Sequence, residues 1–419
     1  MKKKIAVIGL GYTGAPLAFA FAKKFKVIGY DLNKKRIKNL TRFSDENKQI
    51  NKNEFKASKK NILLSSNSKD ISLCDFYIIA VPTPVDKKNL PDLSILIKAT
   101  KTAAKFLKKG NFVIYESTVY PGTTEDICIP ILEKISGLKI NKDFYCGFSP
   151  ERINPGDKKH SFANINKVVS SSDKSSLNIV AKLYQSVVKA KIIKANNIKS
   201  AEASKIIENT QRDVNIALIN EFSIICKLLD LSVFEVLKLS STKWNFLNFK
   251  PGLVGGHCIG VDPFYLSYKS KQLGYKTQIV DSGRSINEKM SKFLANHIKK
   301  ICRNKFVNPN ILILGYTFKE NCSDFRNTKV LNLIKELNSF SKSIEVVDPY
   351  VDINLVKKFD QIKIYKKIPK RKYDVIFIAV GHDKFKKLSS NKFNQCLRSK
   401  GFIFDFKNIL KFKENVINF

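Results

Sequence analysis

The sequence predicts an α/β protein with two doubly wound domains, joined by a long central helix and a helical domain. Apolar strand-like segments alternate with helical segments near the N-terminus and again after residue 306, which is the pattern of parallel sheets covered by helices. Between these blocks, the run from Lys199 to Leu239 has helical periodicity and is nearly free of Gly and Pro. We therefore expect three domains, at 1–196, 197–305 and 306–419.

The composition supports packed globular domains and limits the possible partners. The chain has 419 residues, of which 43% are hydrophobic, and it has no uncharged apolar run long enough to cross a membrane. The N-terminus passes directly into a strand-like segment without a signal-peptide hydrophobic region, so we expect a cytoplasmic protein. The net charge of +39 favours anionic ligands, but its Lys residues are spread along the chain rather than concentrated in a nucleic-acid-binding patch.

The cysteines indicate neither a metal site nor a disulfide framework. All eight are scattered along the chain, and no two form a Cys-x-x-Cys pair. We therefore expect reduced thiols and no metal ion.

The first strand leads into a glycine-rich turn. Residues 3–9 are apolar and are followed by the rest of the sequence Gly9-Leu10-Gly11-Tyr12-Thr13-Gly14, then by an alanine-rich helical run from Leu17. A second strand, Lys26 to Tyr30, ends at Asp31. In this context the glycines permit a tight turn and close approach to a pyrophosphate, the helix N-terminus attracts negative charge, and the acid fits ribose hydroxyls. The segment therefore predicts a Rossmann domain that binds a dinucleotide.

The acid after the second strand favours one dinucleotide over the other. Asp31 would repel a 2′-phosphate, so NAD is expected rather than NADP, although Lys34, Lys35 and Arg36 would weaken that repulsion.

Hydroxyl side chains follow the next two strands that are predicted. Thr83 comes after the strand Phe76–Val81, and Ser117 and Thr118 come after Asn111–Glu116. Because open α/β sheets bind ligands past the carboxyl ends of their strands, these hydroxyls are candidates for contact with the cofactor or a water molecule. Ordinary capping and turn formation are the alternative. The predicted cofactor-binding residues are Gly9, Gly11, Tyr12, Gly14, Asp31, Arg36, Thr83, Ser117 and Thr118.

A loop rich in charge and proline, Ser149 to Asp157, contains Glu151 and Arg152. Loops on rigid scaffolds often carry function, whereas a solvated ion pair is the alternative.

The central helical run carries both polar and apolar stripes. Lys205, Asn209 and Arg212 share one stripe, because they are four and three residues apart. We expect the run to form a spine and a possible dimer interface. The apolar residues expected to be buried are Ile207, Val214, Leu218, Ile225 and Leu228.

A glycine-rich segment, Gly255 to Pro263, places Cys258 four residues before Asp262. The cysteine could act as a nucleophile with help from a nearby base. A glycine and proline turn around an inert, buried thiol is the alternative.

The last block contains strands at 310–315, 343–347, 373–380 and 401–404 but no second GxGxxG sequence. Lys319 and Arg326 follow the first of these strands, where ligands bind to open sheets. Either could instead be an ordinary surface charge.

These motifs, in this order, resemble the UDP-glucose/GDP-mannose dehydrogenase family over essentially the whole chain. The resemblance is carried by Gly9–Gly14, Ser117–Val119 with Pro121–Thr123, Pro150-Glu151, Lys205 with Asn209, Gly255–Cys258, Asp262-Pro263, and Thr317–Lys319 with Asp324 and Arg326. It implies a two-step oxidation of the C6 alcohol of a nucleotide sugar to a carboxylate, with two NAD⁺ used in turn. It also implies a homodimer joined through the central helix.

The resemblance also implies roles for individual residues. Lys205, Asn209, Asp262 and a water near Thr118 would supply the base and stabilise negative oxygen in the first oxidation. Cys258 would form a thiohemiacetal for the second oxidation, and Glu151 would assist hydrolysis of the thioester. His257 is expected to shape the loop. The predicted substrate-binding residues are Glu151, Arg152, Lys205, Asn209, Gly255, Arg284, Lys319 and Arg326.

Within the family, the Glu151–Asp157 loop, Lys319–Cys322 and the sequence His257–Pro263 are similar to the branch that acts on UDP-N-acetylhexosamines. Gly260-Val261 stands where UDP-glucose and GDP-mannose enzymes usually carry Pro-Lys. We expect UDP-N-acetylgalactosamine (UDP-GalNAc) as substrate, in capsule or O-antigen synthesis, with UDP-N-acetylglucosamine (UDP-GlcNAc) or UDP-glucose as alternatives. Two other classes are a two-electron dehydrogenase of the 6-phosphogluconate type and a basic nucleotide-binding or nucleic-acid-binding protein without catalysis.

Overall fold

The computed structural model describes residues 3–47, 49–152 and 162–419. Its contacts divide the chain into two compact units. The N-terminal unit comprises Met1–Glu208 and Phe264–Tyr275, and the C-terminal unit comprises Asn209–Pro263 and Lys276–Phe419.

The N-terminal unit is built on an eight-stranded sheet with the order β3-β2-β1-β4-β5-β6-β7-β8. All neighbouring strands are parallel except β6 and β7, which are antiparallel. The predicted strand Lys26–Tyr30 is present with the same bounds. The strands are β1 Lys4–Ile8, β2 Lys26–Tyr30, β3 Ile62–Ser65, β4 Phe76–Ile79, β5 Phe112–Tyr115, β6 Tyr145–Phe148, β7 Lys167–Ser171 and β8 Ile192–Lys194.

The C-terminal unit contains a six-stranded, fully parallel sheet with the order β11-β10-β9-β12-β13-β14. Its strands are β9 Asn310–Leu314, β10 Ser343–Val347, β11 Ile364–Tyr365, β12 Tyr373–Ile378, β13 Leu397–Asp405 and β14 Val416–Asn418.

Helices connect these strands, and several begin at side chains that cap them. Asn33 accepts a hydrogen bond from the N–H of Arg36, and Asp173 accepts from the N–H groups of Ser175 and Ser176. The helices are α1 Gly14–Ala22, α2 Lys34–Thr41, α3 Lys52–Ser58, α4 Ser94–Ala104, α5 Ile129–Ser136, α6 Lys174–Gln185, α7 Ile198–Leu228, α8 Val233–Ser240, α9 Asp262–Gln272, α10 Ile279–Cys302, α11 Lys329–Asn338, α12 Ile353–Asp360, α13 Asp383–Lys386 and α14 Ser390–Asn394.

Both sheets have the strand order of a Rossmann fold. In each, the chain first adds strands on one side of the first strand and then crosses to its other side, at β1 and β4 in the N-terminal sheet and at β9 and β12 in the C-terminal sheet. The crevice at such a switch point, beyond the carboxyl ends of the strands, is where these folds bind ligands. Two doubly wound sheets and a long helix, α7, confirm the predicted fold class. The predicted boundaries 1–196, 197–305 and 306–419 stay a prediction.

The helical run from Lys199 to Leu239 is two helices rather than one. The helix α7 ends at Leu228, Asp230 adopts a left-handed conformation with φ of 55°, and the side chain of Ser232 caps α8. The short polar side chain of Asp tolerates this conformation, so the chain can turn there without a glycine.

The prediction that the apolar stripe of α7 is buried was wrong. Leu228 is 81% exposed, and Ile207, Leu218 and Ile225 are between 45% and 55% exposed, while Val214 is partly buried. The side of the helix that is turned inward mixes apolar residues with polar ones. The polar ones have partners there, since Asp213 pairs with Arg284, and Asn220 hydrogen-bonds to Gly252 and Asn287. Its apolar stripe is left at the surface.

Over the residues that the structure describes, no helix is both long enough and apolar enough to cross a membrane. All eight cysteines are free thiols.

Candidate active site

The glycine-rich turn between β1 and α1 is shaped by close backbone contacts. Gly9 has φ of +92° and donates its N–H to the Tyr30 carbonyl at 2.8 Å. A Cβ on Gly14 would lie 1.9 Å from the Gly9 carbonyl oxygen, so no larger residue fits there. A Cβ on Gly11, in contrast, would meet nothing within 4 Å. The protein itself does not require glycine at this position, whereas a pyrophosphate that approaches the backbone would.

Asp31 lies directly after β2 and supports the same turn. Its Oδ2 accepts the N–H of Leu10 at 2.7 Å, and its Oδ1 accepts the N–H of Asn33 at 2.8 Å. Arg36 is buried, donates from Nε to the Leu10 carbonyl at 2.8 Å and pairs with Asp45 at 2.7 Å. Its guanidinium therefore stabilises the turn at Gly9–Gly14. Tyr12 is partly buried.

The hydroxyls predicted past β4 and β5 join the ends of these strands. Ser117 Oγ accepts from Val81 N at 2.9 Å and donates to the Val81 carbonyl at 2.7 Å. Thr83 Oγ1 donates to the Thr118 carbonyl at 2.6 Å, and Thr118 is partly buried. Ser117 and Thr83 thus make the structural contacts that were the alternative to cofactor binding. Their contact with a cofactor stays a prediction.

A buried ionic cluster lies next to Glu151. Lys167 Nζ is 2.5 Å from Glu116 Oε2, 3.0 Å from the Pro150 carbonyl oxygen and 3.7 Å from Glu151 Oε2. The hydroxyl of Tyr184 donates to Glu116 Oε1 at 2.5 Å. Burial raises the pKa of Glu116 to about 7 although Lys167 lowers it. This cluster was not predicted from the sequence, where its one local signal is a charged residue at the edge of each of two apolar strands.

The loop around Glu151 is described only in part, because residues 153–157 lie outside the described residues. The N–H of Arg152 donates to Glu151 Oε1 at 2.6 Å, and its guanidinium Nε pairs with Glu208 at 2.9 Å.

Two predicted catalytic residues meet in the C-terminal unit. Asn209 Nδ2 donates to Asp262 Oδ2 at 2.5 Å, and both side chains are buried. Lys205, also buried, lies four residues earlier on α7. Arg212 NH1 donates to Asn209 Oδ1 at 3.4 Å, which confirms that Asn209 and Arg212 share a stripe.

The glycine segment before Cys258 packs tightly against the chain at Asn327. A Cβ on Gly255 would lie 2.4 Å from the Asn327 carbonyl oxygen, and Gly256, with φ of +81°, donates its N–H to the same oxygen at 3.2 Å. The carbonyl of Cys258 accepts the N–H of Asp262 at 2.8 Å. Cys258 is partly exposed, whereas the other seven cysteines are buried.

A chain of contacts runs from Cys258 through His257. The Nδ1 of His257 lies 3.1 Å from Cys258 Sγ, and its Nε2 lies 3.1 Å from Asp324 Oδ2. Arg326 holds the same carboxylate, with NH2 2.6 Å from Asp324 Oδ2. Burial lowers the pKa of His257, but the bonds to Asp324 and Cys258 outweigh it and raise that pKa to about 9. Burial alone would raise the pKa of Asp324, yet its bonds to His257 and Arg326 hold it well below the usual range.

The remaining predicted substrate residues lie elsewhere in the C-terminal unit. Arg284 is buried, with NH1 2.6 Å from Asp213 and with a further pairing to Glu288. Lys319 follows β9 in a segment whose backbone is held by His382, since His382 Nδ1 accepts the N–H of Asn321 at 3.0 Å. Among residues 3–47, 49–152 and 162–419, no group of three or more His, Cys, Asp or Glu side chains could hold a metal ion.

The chain belongs to the UDP-glucose/GDP-mannose dehydrogenase family, as its motifs predicted. The family's NAD binding domain matches residues 3–188, its central domain residues 199–289 and its UDP binding domain residues 312–412. The protein is therefore an NAD-dependent nucleotide-sugar dehydrogenase. This confirms the predicted enzyme class, the predicted cofactor and a UDP-sugar as partner.

Individual relatives share nearly the full length. Protein CapL of Staphylococcus aureus is 49% identical over an alignment that covers 99% of this chain and 98% of CapL. The UDP-N-acetyl-D-glucosamine 6-dehydrogenase of Salmonella typhi is 45% identical, with 97% of this chain and 96% of that protein covered. The solved structure of a UDP-D-ManNAc dehydrogenase from Pyrococcus horikoshii superimposes with a TM-score of 0.88 at 30% identity, covering 99% of this chain and 98% of the other.

Proposed function

We propose that the chain oxidises the C6 alcohol of a UDP-N-acetylhexosamine to the carboxylate, and that Cys258 forms the covalent intermediate. The observation that supports this role is the environment of Cys258. Its thiol is the partly exposed one among eight cysteines, and it lies 3.1 Å from an imidazole nitrogen in a glycine-rich segment. A nucleophilic thiol needs both access and a neighbouring group that takes its proton.

We infer that UDP-GlcNAc is the preferred epimer. The support is the name of the Salmonella typhi relative, which is 45% identical along almost the whole chain. The UDP-GalNAc that the sequence motifs favoured is the second candidate. It differs only at the C4 hydroxyl, and both carry the N-acetyl group that the segment His257–Pro263 led us to expect.

The chemistry of the two oxidations explains the residue types. Bound NAD⁺ supplies the hydride acceptor for each step, and the glycine turn and Asp31 are the residues that would hold it. Asn209 and Lys205 stabilise negative charge on the C6 oxygen of the first step, while Asp262 and a water near Thr118 serve proton transfer. Asp262 accepts the hydrogen bond from Asn209, which keeps that amide oriented.

The aldehyde cannot readily donate a second hydride, so Cys258 adds to it. The thiohemiacetal carries the hydrogen that leaves as hydride, and the resulting thioester is cleaved by water with help from Glu151. Lys167, 3.7 Å from Glu151 Oε2, supports that carboxylate. Arg152, Gly255, Arg284, Lys319 and Arg326 are proposed for the UDP-sugar, and Arg326 would have to exchange part of its pairing with Asp324 for a phosphate.

We infer that the enzyme is a homodimer and that the exposed apolar stripe of α7 is part of the interface. Leu218, Phe222 and Ile225 follow one another at intervals of four and three residues, and each is at least 42% exposed. A second copy of the same stripe would cover these side chains as in an antiparallel or parallel pair of helices.

A substrate panel tests the function. NADH formation is measured with UDP-GlcNAc, UDP-GalNAc, UDP-glucose and GDP-mannose, together with the number of NADH formed per sugar. We expect the highest kcat/KM with UDP-GlcNAc and two NADH per sugar. Activity on none of the UDP-sugars would overturn the proposal, and a preference for UDP-GalNAc would overturn the choice of epimer.

The variant Cys258→Ser tests the covalent step. It should bind substrate but fail to complete the oxidation to the acid, whereas Cys396→Ala, which removes a buried thiol of the same unit, should keep two NADH per sugar. Two NADH per sugar from Cys258→Ser would show that the thioester is not formed.

A further inference from the structure

The residues around Cys258 form a linear chain in the C-terminal unit. Arg326 donates from Nε to both oxygens of Asp324, at 3.0 and 3.2 Å, and its backbone N–H donates to Oδ1 at 3.0 Å. The same carboxylate faces Nε2 of His257, whose other ring nitrogen faces Cys258 Sγ, each across 3.1 Å. Arg326 thus orients the Asp324 carboxylate, and Asp324 orients the imidazole of His257 that faces Cys258.

The local sequence explains why His257 can take this position. Gly256, with φ of +81°, turns the chain just before it, and a Cβ at Gly256 would lie 2.8 Å from the Phe318 ring. The ring of His257 then packs against Phe318 with centroids 5.9 Å apart. Phe318 and Asp324 belong to one segment after β9, so a single segment fixes both the plane and the hydrogen bond of the imidazole.

We propose that His257 is a catalytic residue that takes the proton of the Cys258 thiol, and that Asp324 is the positioning residue that orients Nδ1 toward the sulfur. The proposal rests on the proposed role of Cys258 as nucleophile. It replaces the expectation that His257 only shapes the loop.

The tautomer follows from the charges. Asp324 is an anion, held by the Arg326 guanidinium, so it accepts a hydrogen bond and cannot donate one. The neutral imidazole must therefore carry its hydrogen on Nε2, which leaves the lone pair of Nδ1 directed at Cys258 Sγ. Once protonated, the imidazolium lies between the carboxylate of Asp324 and the thiolate of Cys258.

The proton and the electrons balance over the second oxidation. The S–H proton moves to His257 Nδ1, the thiolate adds to the aldehyde carbon, and the carbonyl π pair moves to oxygen. That oxygen re-forms its double bond as the hydrogen on the same carbon leaves as hydride, for which bound NAD⁺ would be the acceptor, and the product is the thioester. Water then adds to the thioester carbon and the C–S bond breaks, the departing thiolate is stabilised by the His257 imidazolium, and both protons of the water are released as the carboxylate forms.

The charged groups that face His257 support this assignment. Burial lowers the pKa of His257, the hydrogen bonds to Asp324 and Cys258 raise it, and the charge of Arg326 lowers it, with a net value of about 9. With Asp324 and Cys258 beside it, the ring at neutral pH therefore keeps the proton that it takes from the thiol, as an imidazolium next to the sulfur. A purely structural tether would need only a hydrogen bond to Asp324 and would leave the reactivity of the sulfur unchanged.

Alkylation of Cys258 by iodoacetamide tests the proposal without turnover. The other seven cysteines are buried, so labelling of the native protein reports Cys258, and Cys258→Ser gives the background. We expect His257→Gln to be alkylated about tenfold or more slowly than the wild type near pH 7, with the difference closing near pH 10, since an unassisted thiol ionises at about pH 8.5. His297→Gln, which removes an imidazole packed against Phe404 and Phe419, is the matched control and should label at the wild-type rate.

Asp324→Asn retains His257 and provides the second variant. It should slow alkylation near pH 7 in the same direction, and Asp324→Glu should restore part of the rate. Equal rates for His257→Gln and wild type near pH 7 would overturn the role of His257, and a wild-type rate for Asp324→Asn would overturn that of Asp324. These outcomes are separate from the proposed function: two NADH per sugar from Cys258→Ser would reject the nucleophile and leave the alkylation result standing.

Discussion

Asn209 and Asp262 are joined by a hydrogen bond of 2.5 Å between two buried side chains that are 53 residues apart in the sequence. Asn209 lies on α7 and Asp262 begins α9. Because Asp262 is a buried carboxylate, the hydrogen bond from the Asn209 amide stabilises its negative charge. The same bond holds the amide in one orientation. This pair links the architecture of the C-terminal unit to the chemistry proposed for the first oxidation.

The variant Asn209→Ala should lose both the hydrogen bond to Asp262 and the amide donor proposed for the first oxidation. We expect a fall of about hundredfold in kcat, as when one donor to a developing oxyanion is removed. We also expect a loss of about 1–3 kcal/mol in the free energy of unfolding, because Asp262 loses a donor while it stays buried. Steady-state kinetics and urea unfolding measure the two effects.

Asn215→Ala is the control for that variant. Its amide donates to the Gln211 carbonyl near the surface of the same helix, so stability should change by less than about 0.5 kcal/mol. Wild-type kcat in Asn209→Ala would contradict the role of this amide.

The pairing of His257 with Asp324 should make stability depend on pH. The folded protein holds the His257 proton up to a pKa of about 9, against 6.5 for an ordinary histidine, so folding takes up a proton in that window. The stabilisation is therefore complete below about pH 6.5 and is lost as the pH rises through 9. Asp324, whose pKa is held well below 3.8, stays charged throughout. Urea unfolding of wild type and His257→Gln should show a free-energy difference that narrows from pH 6.5 to 9.

His297 provides a contrast of opposite sign. Burial, and then the charges of Lys227 and Lys300, lower the pKa of His297 to about 4. Between about pH 4 and 6.5 the unfolded chain therefore binds a proton at His297 that the folded protein does not bind. Against His297→Gln, the wild type should gain stability as the pH rises from about 4 to 6.5 and change little above that.

For His257, a free-energy difference between wild type and His257→Gln that stays constant from pH 6.5 to 9 would mean that His257 is not protonated in the folded protein.

Strands, turns and helices that depend on neighbouring residues in the sequence could be predicted from the sequence pattern alone. The strand Lys26–Tyr30 was predicted with its observed bounds, and the turn at Gly9–Gly14 was recognised because its glycines have few steric substitutes. The periodicity of α7 likewise identified a helix. It could not tell which side is buried, because that depends on partners far away in the sequence, such as Arg284 for Asp213.

The candidate site shows the same limit. The family motifs predicted Cys258, Asn209 and Asp262 as site residues. The hydrogen bond between Asn209 and Asp262 could not be predicted from them, because it depends on how the chain folds. The pairing of Lys167 with Glu116, 51 residues away, has no sequence signal beyond two charges beside apolar strands. Spacing in sequence predicts neighbours on one helix, whereas contacts between elements depend on topology.

Replacing Lys167 by Met should destabilise the N-terminal unit strongly. Its side chain is almost fully buried, and its loss would leave the Glu116 carboxylate without its cation, at a cost of about 3–5 kcal/mol. The double variant Glu116→Gln with Lys167→Met should recover much of that loss, since neither charge is then left buried alone. Urea unfolding measures each.

Lys139→Met removes a cation from an exposed pair with Glu133 and should cost less than about 1 kcal/mol. A Lys167→Met protein as stable as this control would contradict a structural role for the buried pair.

The exposed stripe of α7 should hold two copies of the chain together. Placing carboxylates there, with Leu218→Glu and Ile225→Glu together, would bury charge in an apolar interface, so the double variant should be a monomer while the wild type is a dimer. Light scattering coupled to gel filtration measures the mass. The matched control is Leu355→Glu with Phe359→Glu, because these two residues are also exposed, apolar and four apart on a helix, α12, that we do not place in the interface. The control should remain a dimer. A monomeric wild type, or a double variant on α7 with the wild-type mass, would show that something other than a second copy covers this stripe.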